Sequence, residues 1–307
     1  MSLGRALVLF SLTPHPLHTP LAQQLGAESG RLERRDFPDG ESYLRINSEV
    51  AGKDVLVLVD LVHPNDKYLP LIFLLDTLRE FGAASVGVLA PYLSYMRQDI
   101  RFNQGEALTS KIFAGALSRH MDYLVTVDPH LHRYHSLDQI YSVPSQVVQG
   151  APALAQWLKG RDNLLLVGPD AESEQWVAGI AGLCGHPYVI GEKQRNGDRD
   201  VQIQLPDLSA YAGRTAVMID DVISSGQTIL QCMQALNKAG IAQQECAAVH
   251  GIFAESAAQM LLEAGLQALA TSNSIAHFSN AIDLSPLLVA PIQQCLQLMP
   301  AQKAVNN

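Results

Sequence analysis

Residues 220–228 bring together side chains whose types and spacing suit a phosphate ligand. An apolar run over 216–219, typical of a buried parallel strand, is followed by two adjacent carboxylates, Asp220 and Asp221. A hydroxyl-rich turn then leads into a helical pattern, and its residues are Ser224, Ser225, Gly226, Gln227 and Thr228. Unpaired N–H groups at a helix N-terminus, with hydroxyls and a glycine that permits close approach, form a cradle for one phosphate. The stretch therefore predicts a strand, a phosphate-binding turn and a helix.

The two carboxylates need a different partner, because they would repel a phosphate at contact distance. Two carboxylates at a strand end suit the vicinal hydroxyls of a ribose or a bridging Mg²⁺. Together with the turn they predict a site for a 5-phosphorylated ribose. The stretch resembles the phosphoribosyl-diphosphate (PRPP) fingerprint shared by type I phosphoribosyltransferases and PRPP synthetases. The alternative is an ordinary strand-to-helix turn capped by Ser225 or Thr228.

Length and composition indicate a protein with two α/β domains. The chain has 307 residues, of which 48% are hydrophobic and 17% charged, enough for two compact cores. A net charge of -9 argues against a nucleic-acid or anionic-membrane surface, so neither partner is expected. Cys184, Cys232, Cys246 and Cys295 are widely spaced within apolar patterns, which is typical of core thiols in a reducing cytoplasm.

Apolar strand patterns alternate with helical ones, which predicts mainly parallel sheets flanked by helices. The predicted strands span 6–12, 54–61, 86–90, 123–127, 164–167, 188–190 and 216–219. The passage between the domains is placed at 145–150, between Pro144 and Pro152. The predicted domains therefore comprise residues 1–148 and 149–307, and the second one closes with an amphipathic helix over 285–298.

Polar segments follow several of these strands, at the edge where such sheets bind ligands. Residues 91–99 follow one strand and include Arg97, so a nucleotide is expected there. Asp128-Pro129-His130 follows another, and His130 is either a metal or phosphate ligand or a hydrogen-bonded structural residue. Asp170 follows the strand at 164–167.

Two other segments have plain structural interpretations when taken alone. Pro38-Asp39-Gly40 is typical of a tight turn. Residues 192–200 form the most charged loop of the chain and, with Asn196-Gly197, are typical of a solvated hairpin.

In their order along the chain, these segments resemble the ribose-phosphate pyrophosphokinase (PRPP synthetase) family from the first strand to the terminal helix. Residues 37–41 are similar to its adenine-binding F-x-[DN]-x-E segment, and residues 91–99 to its P-Y-x-x-Y-x-R-Q-D nucleotide segment. Residues 128–130 are similar to its D-L-H segment, with Pro129 in place of Leu. Residues 192–195 correspond to the K-x-R of its mobile catalytic loop, and 220–228 to its ribose 5-phosphate loop.

The resemblance implies two phosphoribosyltransferase-type domains that transfer the diphosphoryl group of Mg-ATP to ribose 5-phosphate, giving PRPP and AMP. The implied ATP-binding residues are Phe37, Asp39, Glu41, Arg97, Gln98, Asp99 and His130. The implied ribose 5-phosphate residues are Asp220, Asp221, Ser224, Ser225, Gly226, Gln227 and Thr228. His130 and Asp170 would hold Mg²⁺, and Lys193 and Arg195 would be catalytic. A cytoplasmic homo-oligomer, a dimer or a hexamer, is expected by the same resemblance.

The chain departs from the family pattern at two places. It has Glu172-Ser173 where the family commonly has a Gly pair, and residues 101–104 lack the usual Lys-rich run, so regulation by ADP or phosphate is not implied. Two alternatives stay open. A phosphoribosyltransferase that consumes PRPP would share the 220–228 loop but needs no segment like 91–99. A catalytically silent regulatory subunit would be at odds with the retention of His130, Lys193 and Arg195.

Overall fold

In this computed structural model, which describes residues 4–131, 133–195, 201–254 and 256–300, the chain forms two compact units. The first unit contains the described residues up to Val148 together with those from Ser285 onward, and the second spans Gln149–Leu284. Each unit is built on one six-stranded parallel sheet flanked by helices. This architecture confirms the predicted α/β fold class.

The elements follow one another as alternating strands and helices. The strands are β1 (Leu7–Ser11), β2 (Glu28–Ser29), β3 (Leu32–Asp36), β4 (Ser42–Ile46), β5 (Asp54–Leu58), β6 (Ser85–Ala90), β7 (Tyr123–Val127), β8 (Ser145–Val148), β9 (Leu164–Gly168), β10 (Tyr188–Ile190), β11 (Glu192–Arg195), β12 (Val201–Gln204), β13 (Thr215–Ile223), β14 (Gln244–Gly251), β15 (Ala268–Ser272) and β16 (Asn280–Ile282). The helices are α1 (His18–Leu25), α2 (Asn65–Glu80), α3 (Thr109–Leu117), α4 (Ala151–Leu158), α5 (Glu174–Cys184), α6 (Gln227–Lys238), α7 (Ala257–Glu263) and α8 (Ser285–Leu298). Among the described residues, none of these helices combines the length and the apolar character needed to cross a membrane.

The first sheet has the order β2-β1-β5-β6-β7-β8, and all its pairs are parallel. Its central strands β5, β6 and β7 are buried along their whole length, as expected for strands covered by helices on both faces. Helix α2 contributes Leu71, Leu74, Leu75 and Leu78 to the core, at the spacing that places side chains on one helical face. The packing fixes the carboxyl ends of β6 and β7 side by side.

The second sheet has the order β10-β9-β13-β14-β15-β16 and is also entirely parallel. Strand β13 lies between β9 and β14, so the segment that follows it emerges in the middle of the sheet. Helix α6 buries Ile229, Cys232, Met233 and Leu236 along one face. This packing anchors α6 directly after the β13 turn.

Two antiparallel hairpins stand apart from the parallel sheets. β3 pairs with β4, and Phe37, Pro38, Asp39 and Gly40 form the turn between them. β11 pairs with β12, with Lys193 opposite Ile203. The tight turn and the charged hairpin therefore both form, as the sequence predicted, although Asn196 and Gly197 lie outside the described residues.

The structure differs from the predicted organisation at both ends of the second unit. Residues 145–148, expected as a passage between domains, form strand β8 at the edge of the first sheet, where they pair with β7. Helix α8, assigned from the sequence to the second domain, belongs to the first unit and packs against α1, β7 and β8. A hydrogen bond from Gln24 Nε2 to Ser285 Oγ (2.8 Å) fixes its start. Such long-range packing leaves no local signal in a sequence.

Gly87 of β6 provides a test of this packing, since a Cβ atom there would overlap the ring of its cross-strand neighbour Tyr123. We expect Gly87→Ala to destabilise the protein by about 2 kcal/mol or more, because the buried ring has to shift. Gly115→Ala is the matched control: nothing surrounds its Cβ position in α3, and Ala there should stabilise by roughly 0.5–1 kcal/mol. Urea denaturation midpoints measure both, and a wild-type midpoint for Gly87→Ala would contradict the packing.

Candidate functional site

The carboxyl edge of the second sheet carries three aspartates on two neighbouring strands. Asp170 comes two residues after β9 and caps the short 3-10 turn Ala171–Ser173: its Oδ1 accepts from the Ser173 amide (3.1 Å), and Ser173 Oγ donates to its carbonyl (2.6 Å). The Glu172-Ser173 departure thus falls within a regular capping turn. Asp220 and Asp221 lie on β13, which pairs with β9.

Strand β13 does not end at Ile219 as predicted but runs on through both carboxylates to Ile223. The extension occurs because β14 continues the parallel ladder, with Asp220 opposite Ala248 and Ile223 opposite Gly251. The two aspartates remain in contact, because Asp220 Oδ1 accepts a hydrogen bond from the Asp221 amide (2.9 Å).

Burial and electrostatic repulsion both disfavour negative charge on Asp220 at this edge. Burial raises the pKa of Asp220 well above its ordinary value, and the charges of Asp221 and Asp170 raise it further. Although its side chain retains partial solvent exposure, the group has little water to stabilise a negative charge. A cation arriving at this edge would relieve the repulsion.

Lys193 supplies one such cation. Its ammonium forms an ion pair with Asp170 Oδ2, and β11 holds the lysine in place. The structure therefore brings together Asp170 and Lys193, which the sequence could only assign to separate segments. The backbone of Arg195 closes β11, but its side chain lies outside the described residues.

The hydroxyl-rich turn follows β13 directly. Ser224 is half-buried and Ser225 exposed, while Gly226 is the N-cap of α6 with a left-handed φ of 74°. Such a φ strains any residue with a Cβ atom, and Met260 and Leu261 leave little room for one. Among the described residues, no side chain caps α6, so the alternative of a helix capped by Ser225 or Thr228 is wrong.

Gln227 and Thr228 belong to the first turn of α6 rather than to the preceding loop. The first intrahelical bond runs from the Leu230 amide to the Gly226 carbonyl (2.9 Å), so the amides before it are available to an anion. The carbonyl of Ser224 accepts from the Ala254 amide (3.0 Å), which fixes the turn against the segment after β14. The predicted phosphate cradle thus has the required backbone arrangement.

In the first unit, the β3–β4 hairpin presents its turn to solvent. Phe37 is exposed, and the Arg35 guanidinium lies over its ring at 4.6 Å and over that of Tyr43 at 4.4 Å. Asp39 Oδ1 accepts from the Glu41 amide (3.2 Å), and Gly40 adopts a φ of 90°. The predicted residues Phe37, Asp39 and Glu41 therefore share one exposed hairpin end with an aromatic ring available for stacking.

The segments after β6 and β7 carry the remaining predicted residues. Arg97 is exposed, and Gln98 Oε1 accepts a hydrogen bond from the Thr109 hydroxyl (3.2 Å). Asp99 is buried, and its carboxylate bonds to Arg133, a residue that no sequence motif singled out. His130 is half-buried at the end of β7.

Mg²⁺ is the metal implied by the resemblance, with Asp170 and His130 as its ligands. The described residues contain no ready-made group of three or more His, Cys, Asp or Glu side chains able to hold an ion. Mg²⁺ commonly binds through one or two carboxylates, waters and substrate phosphates, so Asp170 at an acidic strand edge fits such a site. Its Oδ2 already holds a cationic group, the Lys193 ammonium.

The raised pKa of Asp220 predicts a pH-dependent stability in the substrate-free protein. A carboxyl with a raised native pKa reduces stability as the pH rises from about 4 toward that raised value, because the unfolded chain ionises first. Asp220→Asn should therefore raise the melting temperature more at pH 8 than at pH 5.

Asp207→Asn is the control for this measurement. Hydrogen bonds from Ser209 lower the pKa of the exposed Asp207, so its loss should reduce stability at neutral pH instead. A lower melting temperature for Asp220→Asn than for the wild type at pH 8 would contradict the raised pKa of Asp220.

Known proteins resemble this chain over most of its length. Residues 7–120 match the N-terminal domain of ribose phosphate pyrophosphokinase, and residues 136–266 match the phosphoribosyl transferase domain. A ribose-phosphate pyrophosphokinase of Methanopyrus kandleri is 32% identical over 89% of this chain and 94% of its own. The ribose-phosphate pyrophosphokinase of Sulfolobus acidocaldarius is 34% identical over 83% of this chain and 88% of its own.

A solved structure shares the fold. The phosphoribosylpyrophosphate synthetase from Mycobacterium smegmatis superimposes with a TM-score of 0.80 over 95% of this chain and 99% of its own, at 23% identity. The two units, each built on one parallel sheet, are therefore phosphoribosyltransferase-type domains. With these matches spanning both units, the chain belongs to the ribose-phosphate pyrophosphokinase (PRPP synthetase) family.

Proposed function

We propose that this chain is a ribose-phosphate diphosphokinase, which transfers the diphosphoryl group of Mg-ATP to the 1-hydroxyl of ribose 5-phosphate and yields PRPP and AMP. The observation that carries the proposal is the edge of the second unit, where Asp170 follows β9, Asp220 and Asp221 lie on the neighbouring strand β13, and the uncapped N-terminus of α6 follows β13. At this edge the carboxylates favour binding of a cation, and the N-terminus of α6 favours binding of an anion. A sugar phosphate close to a magnesium ion has that pattern of charge.

In the proposed complex, the 5-phosphate occupies the turn of Ser224, Ser225 and Gly226 and the first amides of α6. Backbone N–H groups and the helix dipole favour the phosphate charge. Asp220 and Asp221 accept hydrogen bonds from the ribose hydroxyls, which are neutral donors and tolerate a carboxylate. The long β13 strand separates the two kinds of contact along one substrate.

ATP binding is assigned to the first unit. Phe37 offers an exposed ring for stacking on adenine, and Asp39 and Glu41 share its hairpin. Arg97 and Gln98 follow β6, and His130 follows β7, at adjacent carboxyl ends of the sheet. Membership of the ribose-phosphate pyrophosphokinase family supports ATP and ribose 5-phosphate as the substrates.

The reaction forms a bond between the ribose O1 and the β-phosphorus and breaks the bond between that phosphorus and the oxygen bridging to the α-phosphate. AMP leaves with that bridging oxygen, and the hydroxyl proton passes to solvent. Mg²⁺ would neutralise phosphate charge during the transfer, and Asp170 and His130 are the residues that the family resemblance assigns to it. Lys193 and Arg195 add positive charge at the β-phosphate oxygens, where it is needed most in the transition state.

The Lys193–Asp170 ion pair suggests how this lysine is kept at the reaction edge before substrates arrive. The carboxylate holds the ammonium beside the acid pair of β13, so only a local movement is needed to meet a phosphate.

The three free cysteines buried in the core, Cys232, Cys246 and Cys295, suit the cytoplasmic location that we assign to the protein.

Variants of the charged hairpin test the proposal. Lys193→Ala and Arg195→Ala should each lower kcat for AMP formation roughly a hundredfold or more with little change in ATP binding, because their charges act mainly in the transition state. Asp220→Ala should chiefly raise the KM for ribose 5-phosphate. The assay follows AMP with and without ribose 5-phosphate.

Wild-type kcat in both hairpin variants would contradict the catalytic assignment while leaving the sugar-phosphate site intact. Absence of AMP formation by the wild-type chain with both substrates present would instead favour the non-catalytic regulatory homologue.

We also propose a homo-oligomer, in which Phe37 and Asp39 complete the nucleotide site of a neighbouring copy. The first unit supports this with exposed apolar side chains on α2 and α3, namely Leu69, Phe73 and Ile112. A cavity of about 450 Å³ opens beside them, lined by Asn65, Tyr68, Tyr95, Thr109, Ile112, Phe113 and Ala116. Light scattering should show a dimer or hexamer, and a fully active monomer would contradict the proposal.

A further inference from the structure

Asp99 was predicted to bind ATP, but its carboxylate has no exposed surface and is occupied by one residue. Its Oδ2 accepts a hydrogen bond from the Arg133 amide (3.1 Å), and its Oδ1 accepts one from Arg133 Nη1 (2.7 Å). A buried carboxylate needs such partners, because desolvation of an unpaired charge is costly. In this arrangement Asp99 orients Arg133 rather than a ligand.

The contact joins the segments that follow two neighbouring strands. Asp99 lies nine residues after the end of β6, and Arg133 lies three residues after His130 at the end of β7. A second connection runs from Ser110 Oγ to the Tyr134 hydroxyl (3.0 Å), which also lies 3.3 Å from the Asp99 carbonyl. Arg133 is therefore held at the edge where Arg97 and His130 are found.

The other edge of the Arg133 guanidinium points away from this anchor. The side chain is half exposed, and its Nη2 and Nε donate no hydrogen bond to any residue that the structure describes. One face lies 5.5 Å from the centre of the exposed Phe102 ring, which limits its movement. A guanidinium held by a carboxylate on one edge can offer the other to a phosphate.

We propose that Arg133 binds a phosphate of the nucleotide substrate and that Asp99 is its positioning residue. The inference rests on the proposed function, since it assigns a phosphate contact to the ATP side of the same site. The guanidinium supplies two parallel donors to phosphate oxygens, and the buried carboxylate fixes their direction. Arg97, exposed on the neighbouring segment, adds a second positive charge.

Calorimetric titration of the full chain with ATP and, separately, with adenosine tests the assignment. Arg133→Met should weaken ATP binding roughly ten- to hundredfold, the range for a lost hydrogen bond to a charged group, and leave adenosine binding within about twofold. Arg133→Lys should recover only part of the loss, because an ammonium lacks the planar pair of donors. A residue that only stabilised the fold would weaken both ligands together.

Asp99→Asn tests the positioning role through a double-mutant cycle. It should weaken ATP binding in the wild-type background and have no further effect in the Arg133→Met background, where nothing is left to position. A general loss of stability caused by Asp99→Asn would weaken ATP binding equally in both backgrounds. A folding defect therefore cannot produce an effect that is confined to the wild-type background. An equal effect in both backgrounds would overturn the positioning role.

Arg79→Met is the matched control. Arg79 also pairs with an aspartate, Asp122 (2.8 Å), but at the amino ends of β6 and β7, so its loss should leave ATP binding unchanged. Wild-type ATP affinity in Arg133→Met would overturn the phosphate contact alone. Failure of the wild-type chain to bind ATP would overturn the proposed function and this inference with it.

Discussion

Burial of Asp220 beside two other carboxylates, at the carboxyl edge of the second sheet, is the constraint on which the site depends. Asp220 and Asp221 lie on β13 and Asp170 follows the adjacent strand β9, and burial together with the charges of its neighbours raises the pKa of Asp220 well above its ordinary value. Protonation of Asp220 or a bound cation reduces the unfavourable charge at this edge. Lys193 already provides one, and a magnesium–substrate complex would provide another.

The anion-binding part of the site is kept apart from this acidic edge by the length of β13. The strand continues for two residues beyond Asp221, and the turn after it brings Gly226 and the first amides of α6 into position. A buried apolar face anchors α6 in the core and so holds its N-terminus against the sheet. Within one short segment, the acid pair of β13 favours positive charge and the N-terminus of α6 favours negative charge. Binding of a sugar phosphate requires both.

The sequence predicted those features that depend on local patterns. Strand β7 and helix α8 lie where their periodicity placed them, because the apolar spacing of each segment matches its own geometry. Sequence patterns did not predict the features that depend on contacts between distant segments. The ladder to β14 extends β13 past its acid pair, and packing against α1 and β8 draws α8 into the first unit. Likewise, the contacts of Asp99 with Arg133 and of Asp170 with Lys193 join residues that no motif connects.

In the proposed reaction, the chain transfers a diphosphoryl group rather than a single phosphoryl group. ³¹P NMR of the wild-type protein with Mg-ATP and ribose 5-phosphate tests this most directly, because it identifies both products in one sample. The proposed chemistry predicts AMP and a sugar bearing a 1-diphosphate and a 5-phosphate in equal amounts, with neither formed when ribose 5-phosphate is omitted. ADP together with a ribose bisphosphate, or unchanged substrates, would contradict it.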